Sequence, residues 1–309
     1  MHSEKQYIDL YRECREQICA HSAAPLNAVR DAAFEQFERQ GFPSRKVERY
    51  KYTSVDELFA PDYGVNVNRL EIPVDPYKAF RCDVPNLSTS LYFIVNDQFR
   101  AALQPKENLP EGVVVDSLAA YAQANPQFVA DHYAQLAHAD EDGITALNTM
   151  LAQDGLLVYV KRGVKVDRTI QVINILRSDV PLMVNRRVLI VMEEGAEAKL
   201  LFCDHAADDR EFLATQVIEA YVGRNASLDL YCMEETHYKN TRVSNVYIEQ
   251  QADSRVNHNV ITLHNGTTRN RLDVLLKGEG AECWCNGCVI ADKAQHIDNN
   301  TLIDHQVPH

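Results

Sequence analysis

Glycine is scarce in this chain, 12 of 309 residues, and Asn265-Gly266 and Asn286-Gly287 are its only Asn-Gly pairs. An antiparallel sandwich wants hairpin signals every ~8–12 residues, so that architecture is disfavoured. No apolar run approaches the ~18 residues of a membrane span, and the polar start Met1-His2-Ser3-Glu4-Lys5-Gln6 has no apolar stretch behind it of the kind a secretory signal needs. A cytoplasmic protein without a membrane partner is expected. Basic runs are missing as well: 31 Lys and Arg stand against 44 Asp and Glu, a net charge of -13. Phosphate binding is driven mainly by Lys and Arg, so no nucleic-acid partner is expected. Eight cysteines are too few for a disulfide scaffold of this length, and a reducing compartment keeps them as thiols. Cys14, Cys19, Cys82, Cys203 and Cys232 stand singly, in the manner of small buried hydrophobes. There is no Gly-x-Ser-x-Gly elbow, phosphate-cradling glycine loop or His-Glu-x-x-His helix.

What is present is a repeat. From about residue 155 an alternating apolar stretch, a small-residue turn and a second alternating stretch recur at near thirty residues. Aligning Glu194-Gly195-Ala196, Gly223-Arg224-Asn225-Ala226, Gln251-Ala252-Asp253 and Gly278-Glu279-Gly280-Ala281 places alanines at 196, 226, 252 and 281, and Gly163-Val164-Lys165-Val166 reads as a degenerate fifth turn. The flanking segments are rich in β-branched residues, which suits a pleated surface. A period of this length built from strands alone reads as a solenoid. One coil of a parallel β-helix holds two or three short strands, which fits the period at ~3.3 Å per residue. Stacking lets Ala196, Ala198, Leu200 and Phe202 point inward while Glu197 and Lys199 meet water.

The first forty residues carry helical stripes, Tyr7-Leu10-Tyr11-Cys14 and Val29-Ala33-Phe34-Phe37, with Gly41 and Pro43 as stop signals. A loop-like stretch with Pro61, Pro73, Pro76 and Pro85 follows, then a strand running into a turn at 91–97. Asp116-Ser117 and Asn125-Pro126 look like helix starts, which predicts two or three short helices over 116–153. The expected organisation is a mostly helical region, 1–153, capping one end of a β-helix core, 154–309, because the first coil of a solenoid exposes apolar edges.

Two clusters invite a chemical reading. Cys283-Trp284-Cys285-Asn286-Gly287-Cys288 places three thiols in six residues, a set that can hold zinc or part of an iron–sulfur cluster. If Ala281 points inward, so do Cys283 and Cys285, and the favoured role is core filling with slow native reaction toward thiol reagents. Near the end, alternation puts His296, Asp298 and Asp304 on one face and His305 on the other. A His/Asp/His set can bind a divalent ion or move protons, although a hydrogen-bonded polar ladder is the favoured reading. Cys283, Cys285, Cys288, His296 and His305 are thus the candidate metal ligands, and no catalytic residue is assigned. Glu193-Glu194 and Glu234-Glu235 cannot flank one bond, since neighbours on a strand face opposite ways, and are expected to be solvated turn charges.

In order along the chain, Gly41-Phe42-Pro43-Ser44, Glu48-Arg49-Tyr50-Lys51-Tyr52-Thr53, Phe93-Ile94-Val95-Asn96-Asp97, Leu109-Pro110-Glu111-Gly112-Val113, Ala146-Leu147-Asn148, the segment Gly155 to Val164, and Gln295-His296-Ile297-Asp298-Asn299-Asn300-Thr301 with Asp304-His305 resemble the SufD family. With its paralogue SufB, that family supplies the scaffold subunits of the Suf iron–sulfur cluster assembly machine. The resemblance implies a right-handed parallel β-helix flanked by helices, a SufB-like partner, a SufC-like ABC ATPase that supplies the ATP turnover, and no catalysis by this chain. It also implies that the iron–sulfur cluster, and reduced FAD, belong to the complex, with no cofactor assigned to this chain. Family members continue beyond the Asp-His segment with further coils, a helical segment that contacts SufC and a Cys/His pair. Their absence before His309 leads us to expect poor ATPase binding and edge-to-edge pairing into a homodimer. Readings from other classes are a β-helical enzyme acting on polysaccharide, on fold analogy alone, and a metal carrier using Cys283, Cys285 and Cys288.

Overall fold

The computed structural model describes residues 3–79, 89–104 and 109–308; Cys82, Pro85 and His309 lie outside them. The N-terminal region runs α1 (Glu4–Ala20), α2 (Ala24–Ala28), α3 (Arg30–Gln40), α4 (Val55–Phe59), β1 (Gly64–Val65), α5 (Pro76–Ala79), β2 (Thr89–Val95), β3 (Gln98–Phe99), β4 (Val113–Ser117), α6 (Leu118–Ala124), α7 (Pro126–Ala130) and α8 (Gly143–Leu151). The repeat region follows as β5 (Leu156–Val160), β6 (Thr169–Leu176), β7 (Leu182–Met192), β8 (Glu197–Ala206), β9 (Phe212–Val222), β10 (Ser227–Glu235), β11 (Thr241–Gln250), β12 (Arg255–His264), β13 (Thr267–Leu276), β14 (Glu282–Val289) and β15 (His296–His305).

Odd- and even-numbered strands of the repeat separate into two parallel sheets, β15-β13-β11-β9-β7-β5 and β14-β12-β10-β8-β6, so each coil spends one strand in each. Leu182 pairs with Phe212, Leu213 with Thr241, Thr241 with Thr267 and Thr267 with His296, which sets the coil at 26 to 30 residues. This is the parallel β-helix expected from the repeat. The bends stack in their own ladder: Gly163 N–H donates to Glu194, Gly195 to Arg224, Asn225 to Ala252 and Asp253 to Glu279, at 2.8–3.0 Å. The donors sit at positive φ, Gly195 at 70°, Asn225 at 55° and Asp253 at 58°, as does Gly280 at 70°. Glycine, asparagine and aspartate are the residues that tolerate this left-handed geometry. The degenerate turn at Gly163 belongs to the same column, with φ 70°.

Ala252, expected from the sequence at a bend position equivalent to Ala196, Ala226 and Ala281, does not occupy it. The residue preceding each even strand is Ala196, Ala226, Ser254 and Ala281, not Ala252. Ala252 lies two positions earlier, in the column of Glu194, Arg224 and Glu279. Ser254 is fully buried in the alanine position because its hydroxyl donates to the Gln251 carbonyl at 2.6 Å and so meets no polar penalty. Where coils pass closest, Gly278 is obligatory, since a Cβ there would lie 2.0 Å from the Ala252 nitrogen.

The lumen is apolar along one half of each strand. Val188, Ile190 and Met192 face Ala198, Leu200 and Phe202, and the column continues through Ile218, Leu228, Val246 and Val256. The other half is polar, with Arg186, Asp204, Gln216, Glu234, Arg242, Ser244 and Asn270 all buried. The N-terminal region covers the helix in two ways. Strand β2 joins the even sheet beside β6, β3 folds back on β2, and β4 closes the odd sheet against β5 in antiparallel fashion. The covering of the first coil is therefore made by strands, a detail the expected helical cap missed. The helices instead lie along the outer face of the odd sheet: buried residues of α1, α3, α4 and α8 pack with Met183, Leu213 and Val243, and those of α2, α6 and α7 with Leu157, Leu189 and Val191. Sequence signals in this region match their elements. Gly41, at φ 62°, closes α3 by donating to the Phe37 carbonyl at 2.8 Å. The Ser117 hydroxyl caps α6 by accepting from Ala120 N–H at 3.0 Å. No helix among the described residues is long and apolar enough to cross a membrane.

Candidate functional site

Two sets of polar residues stand out in the β-helix. The first is the polar half of the lumen. Asp204 accepts from Asn174 at 2.7 Å and Arg186 at 2.8 Å on one oxygen and from Arg242 at 2.6 Å on the other. Arg242 goes on to Asn270 at 2.7 Å, and Asn270 to Asn299 at 2.8 Å, so one hydrogen-bonded ladder crosses from β6 to β15. Burial alone would raise the Asp204 carboxyl, but Arg186 and Arg242 outweigh it and hold it below its ordinary range. Glu234 is the opposite case. Burial lifts its carboxyl although Arg242, 3.9 Å away, and the Thr268 hydroxyl, which donates at 2.6 Å, pull the other way. The expectation that Glu234 is a solvated turn charge is thus wrong: it is 1% exposed and points into the lumen, while Glu235 is exposed.

This ladder ends in a pocket of about 170 Å³ lined by Cys232, Arg242, His258, Asn270, Cys285 and Asn299 among others. Leu230, His258 and Cys285 form one register column across β10, β12 and β14, and Leu228, Val256 and Cys283 the next. Cys283 and Cys285 therefore face the lumen, with their sulfurs 3.6 Å apart. Their surroundings differ. Cys283 is half-buried against the apolar core, whereas Cys285 is exposed. The hydrogen bond between them pulls the Cys285 thiol down to about 7 and pushes that of Cys283 up. Slow reaction of Cys285, expected from core filling, is not compatible with this geometry. Cys285 is expected to alkylate readily in the native chain, with a rate that climbs as pH rises through about 7, because the thiolate is the nucleophile. Mass-spectrometric mapping of iodoacetamide labelling at pH 6 and 8 checks this, with Cys232 as the slow internal standard, since burial pushes its thiol up to about 12. Cys288 pairs with Ile261, an odd position of β12 on the outer face, and is also exposed. His258 is 4% exposed, its Nε2 has no hydrogen-bond partner, and burial with Arg242 nearby pushes it down to about 4, so it is a neutral imidazole.

The second set joins the two family-like motifs across the chain. Thr53 donates to Asp298 at 2.6 Å and lies 3.1 Å from His296 Nε2, which places both C-terminal residues on the outer face against the N-terminal region. Arg269, fully buried, stacks its guanidinium 3.7 Å from the centre of the Tyr50 ring and donates to the Arg49 carbonyl at 2.6 Å. Arg49 in turn reaches Asp273 at 3.0 Å, and Tyr50 donates to Asp142, which also takes Arg271 at 3.1 Å. The Tyr50-to-Thr53 segment is thus a docking strap, and His296 with Asp298 is its receptor. His305, paired in register with Leu276 at the far end of β15, belongs to the other face. The candidate ligands accordingly split: Cys283 and Cys285 meet, while Cys288, His296 and His305 stand elsewhere. Sequence reading missed His258, whose only signal was even spacing with Val256 on an alternating strand, and the arginines of the lumen, which no motif marks.

Comparisons with known proteins agree with this architecture. The profile of the SufBD protein N-terminal region matches residues 1–172, and that of the SUF system FeS cluster assembly SufBD core domain matches residues 174–309. The chain is similar to the iron-sulfur cluster assembly protein SufB of Bacillus subtilis, 23% identical over 77% of this chain and 52% of that protein. It is similar also to SufD of the same organism, 23% identical over 98% of this chain and 68% of the relative. A third relative is protein ABCI7, chloroplastic, of Arabidopsis thaliana, 22% identical over 92% of this chain and 60% of its own length. The chain thus spans between about half and two thirds of the length of these relatives. Since the two profiles together cover nearly every residue, the chain belongs to the SufB/SufD family of iron–sulfur cluster assembly proteins.

Proposed function

We propose, from that membership, that this chain is a SufD-like, non-catalytic scaffold of a cytoplasmic Suf complex, paired with a SufB-like paralogue and served by a SufC-like ATPase. The observation that carries the reading is the unbroken succession of the N-terminal and core family regions along one chain. The chemistry of the interior is consistent with it: the buried carboxylates Asp204, Glu219 and Glu234 are engaged by arginines or hydroxyl groups, and so serve to hold coils together. Iron and the nascent cluster are cargo of the assembly. Reduced FAD is assigned to the assembly, with no cofactor assigned to this chain.

Co-expression beside its chromosomal neighbours tests the partnership. A tagged chain is expected to retain a paralogous β-helix protein in a defined ratio through gel filtration. Recovery of the chain alone under low-salt conditions, with both neighbours present in the lysate, would refute the proposal.

A further inference from the structure

We propose that Cys285 and Cys283 form a redox modification site, in which a hydroperoxide oxidises Cys285 and Cys283 then closes on it as an intramolecular disulfide. The inference concerns these two side chains and does not depend on the role in a Suf complex. Its first support is contact. The two sulfurs lie 3.6 Å apart on the lumen face of β14, so they need close by only about 1.5 Å to reach the ~2.05 Å of a disulfide bond. The second support is the setting of each thiol. Cys285 is exposed and lines the pocket at the end of the lumen, while Cys283 is half-buried against the apolar core. A Cβ at Gly287, the next lumen-facing position, would meet nothing within 4 Å, which leaves room for a small oxidant beside Cys285. A peroxide therefore meets Cys285 first.

The chemistry balances with the peroxide as sole oxidant. The Cys285 thiolate attacks one peroxide oxygen, an S–O bond forms as the O–O bond breaks, and the departing hydroxide takes a proton to leave as water. Cys285 is then a sulfenic acid. The Cys283 thiol, which had donated to that thiolate, attacks the same sulfur; the S–S bond forms, the S–O bond breaks, and hydroxide leaves with the Cys283 proton as a second water. Two thiols and one peroxide thus become one disulfide and two waters. The backbone makes that bond reversible. Residues two apart on a strand advance ~3.3 Å each, so their Cα atoms stand about 6.6 Å apart, near the upper end of the roughly 4.4–6.8 Å that disulfides span. Strain of this kind leaves a disulfide labile toward thiols. Strand β14 can accommodate it, since it ends the even sheet and pairs with β12 alone among the described residues. Cys288, on the outer face of the same strand, takes no part.

The test is exposure of the reduced full chain to hydrogen peroxide, followed by alkylation of the remaining thiols and mass spectrometry of the tryptic peptide 278–293, which carries Cys283, Cys285 and Cys288 together. We expect a disulfide joining Cys283 to Cys285, with Cys288 alkylated, and its reopening by glutathione. It should form about tenfold faster at pH 8 than at pH 6, the ratio of Cys285 thiolate at those two values. Cys283→Ser should leave a sulfenic acid at Cys285 that dimedone traps, since no thiol is then in reach to resolve it. Cys285→Ser should slow oxidation of Cys283 by about tenfold or more, because its remaining thiol is buried and protonated. Cys288→Ser should match the parent. In the parent chain, a disulfide made through Cys288 or between two chains, or sulfinic acid at Cys285 with Cys283 still alkylated, would overturn the site. So would parent-like oxidation of Cys283 in the Cys285→Ser chain.

Discussion

Replacing Glu219 with alanine should destabilise the chain by about 3–5 kcal/mol, the cost of breaking a buried ion pair from one side. Glu219 and Arg187 are both fully buried and meet at 2.5 Å. Glu219 does more than neutralise that arginine. One oxygen accepts from Leu136 N–H at 2.9 Å and Ala137 N–H at 3.1 Å, and the other from Ala134 N–H at 2.9 Å. It is thus the acceptor for a whole turn of backbone between α7 and α8, which has no sheet or helix of its own to bond to. The alanine variant leaves three amides without their acceptor and the Arg187 guanidinium without its counter-charge, although Thr149 and Asn148 still accept from it. Urea denaturation should show a much lower midpoint, with amide exchange in residues 131–139 quickening first. The double variant Arg187→Leu with Glu219→Leu removes the stranded charge and should recover part of the loss, while the three amides stay orphaned. Recovery to the parent value would mean that the backbone contacts contribute nothing.

Asp204→Ala should be of similar size, about 3–5 kcal/mol, because it strands two buried guanidiniums at once. Arg186 and Arg242 are at most 6% exposed at their side chains, and each holds a different Asp204 oxygen. The sign of the pH dependence follows from the lowered Asp204 carboxyl. A carboxyl depressed on folding contributes stability that is fully present above the ordinary unfolded value of ~3.9 and is lost as pH falls through its folded value. The difference between parent and variant should therefore be constant near neutrality and shrink in acid. Glu234 responds in the opposite sense: its raised carboxyl favours folding when protonated, so its contribution declines as pH rises above its unfolded value. Asp204→Asn keeps the shape and should be milder than alanine, since its carbonyl still accepts from one arginine. Equal stability of parent and Asp204→Ala at neutral pH would show that the ladder is not what ties these coils.

The fold was legible because strand alternation and the thirty-residue period are local facts. The register was not wholly legible, since the alignment followed alanine, whereas the bend is specified by the residue in the left-handed region. Read instead through Gly195, Asn225, Asp253 and Gly280, the repeat falls into place, and Ser254 takes the third alanine position. The same alternation that separated Glu234 from Glu235 already required one of them to face inward. Its burial was missed because the arginine that compensates it, Arg242, comes from the other sheet. The strands β2 and β4 join sheets whose partners lie at 169–175 and 156–160, and pairing over such separations leaves no mark in a local pattern. The same holds for the strap, where Thr53 meets residues more than two hundred positions later. Thiols two apart were visible from the start, but the acidic character of Cys285 came from its neighbour's hydrogen bond, which depends on the strand's face.

As a stoichiometric scaffold, the role proposed above, this chain would support cluster assembly without turning over. Cluster transfer to an apo-ferredoxin acceptor, measured with the purified SufB-like and SufC-like partners, ATP, iron and a sulfur donor, tests it most directly. Transfer is expected to rise with added chain and to saturate at a fixed ratio to the partners. Transfer indifferent to the chain, or full transfer from a small fraction of an equivalent turning over many times, would contradict it.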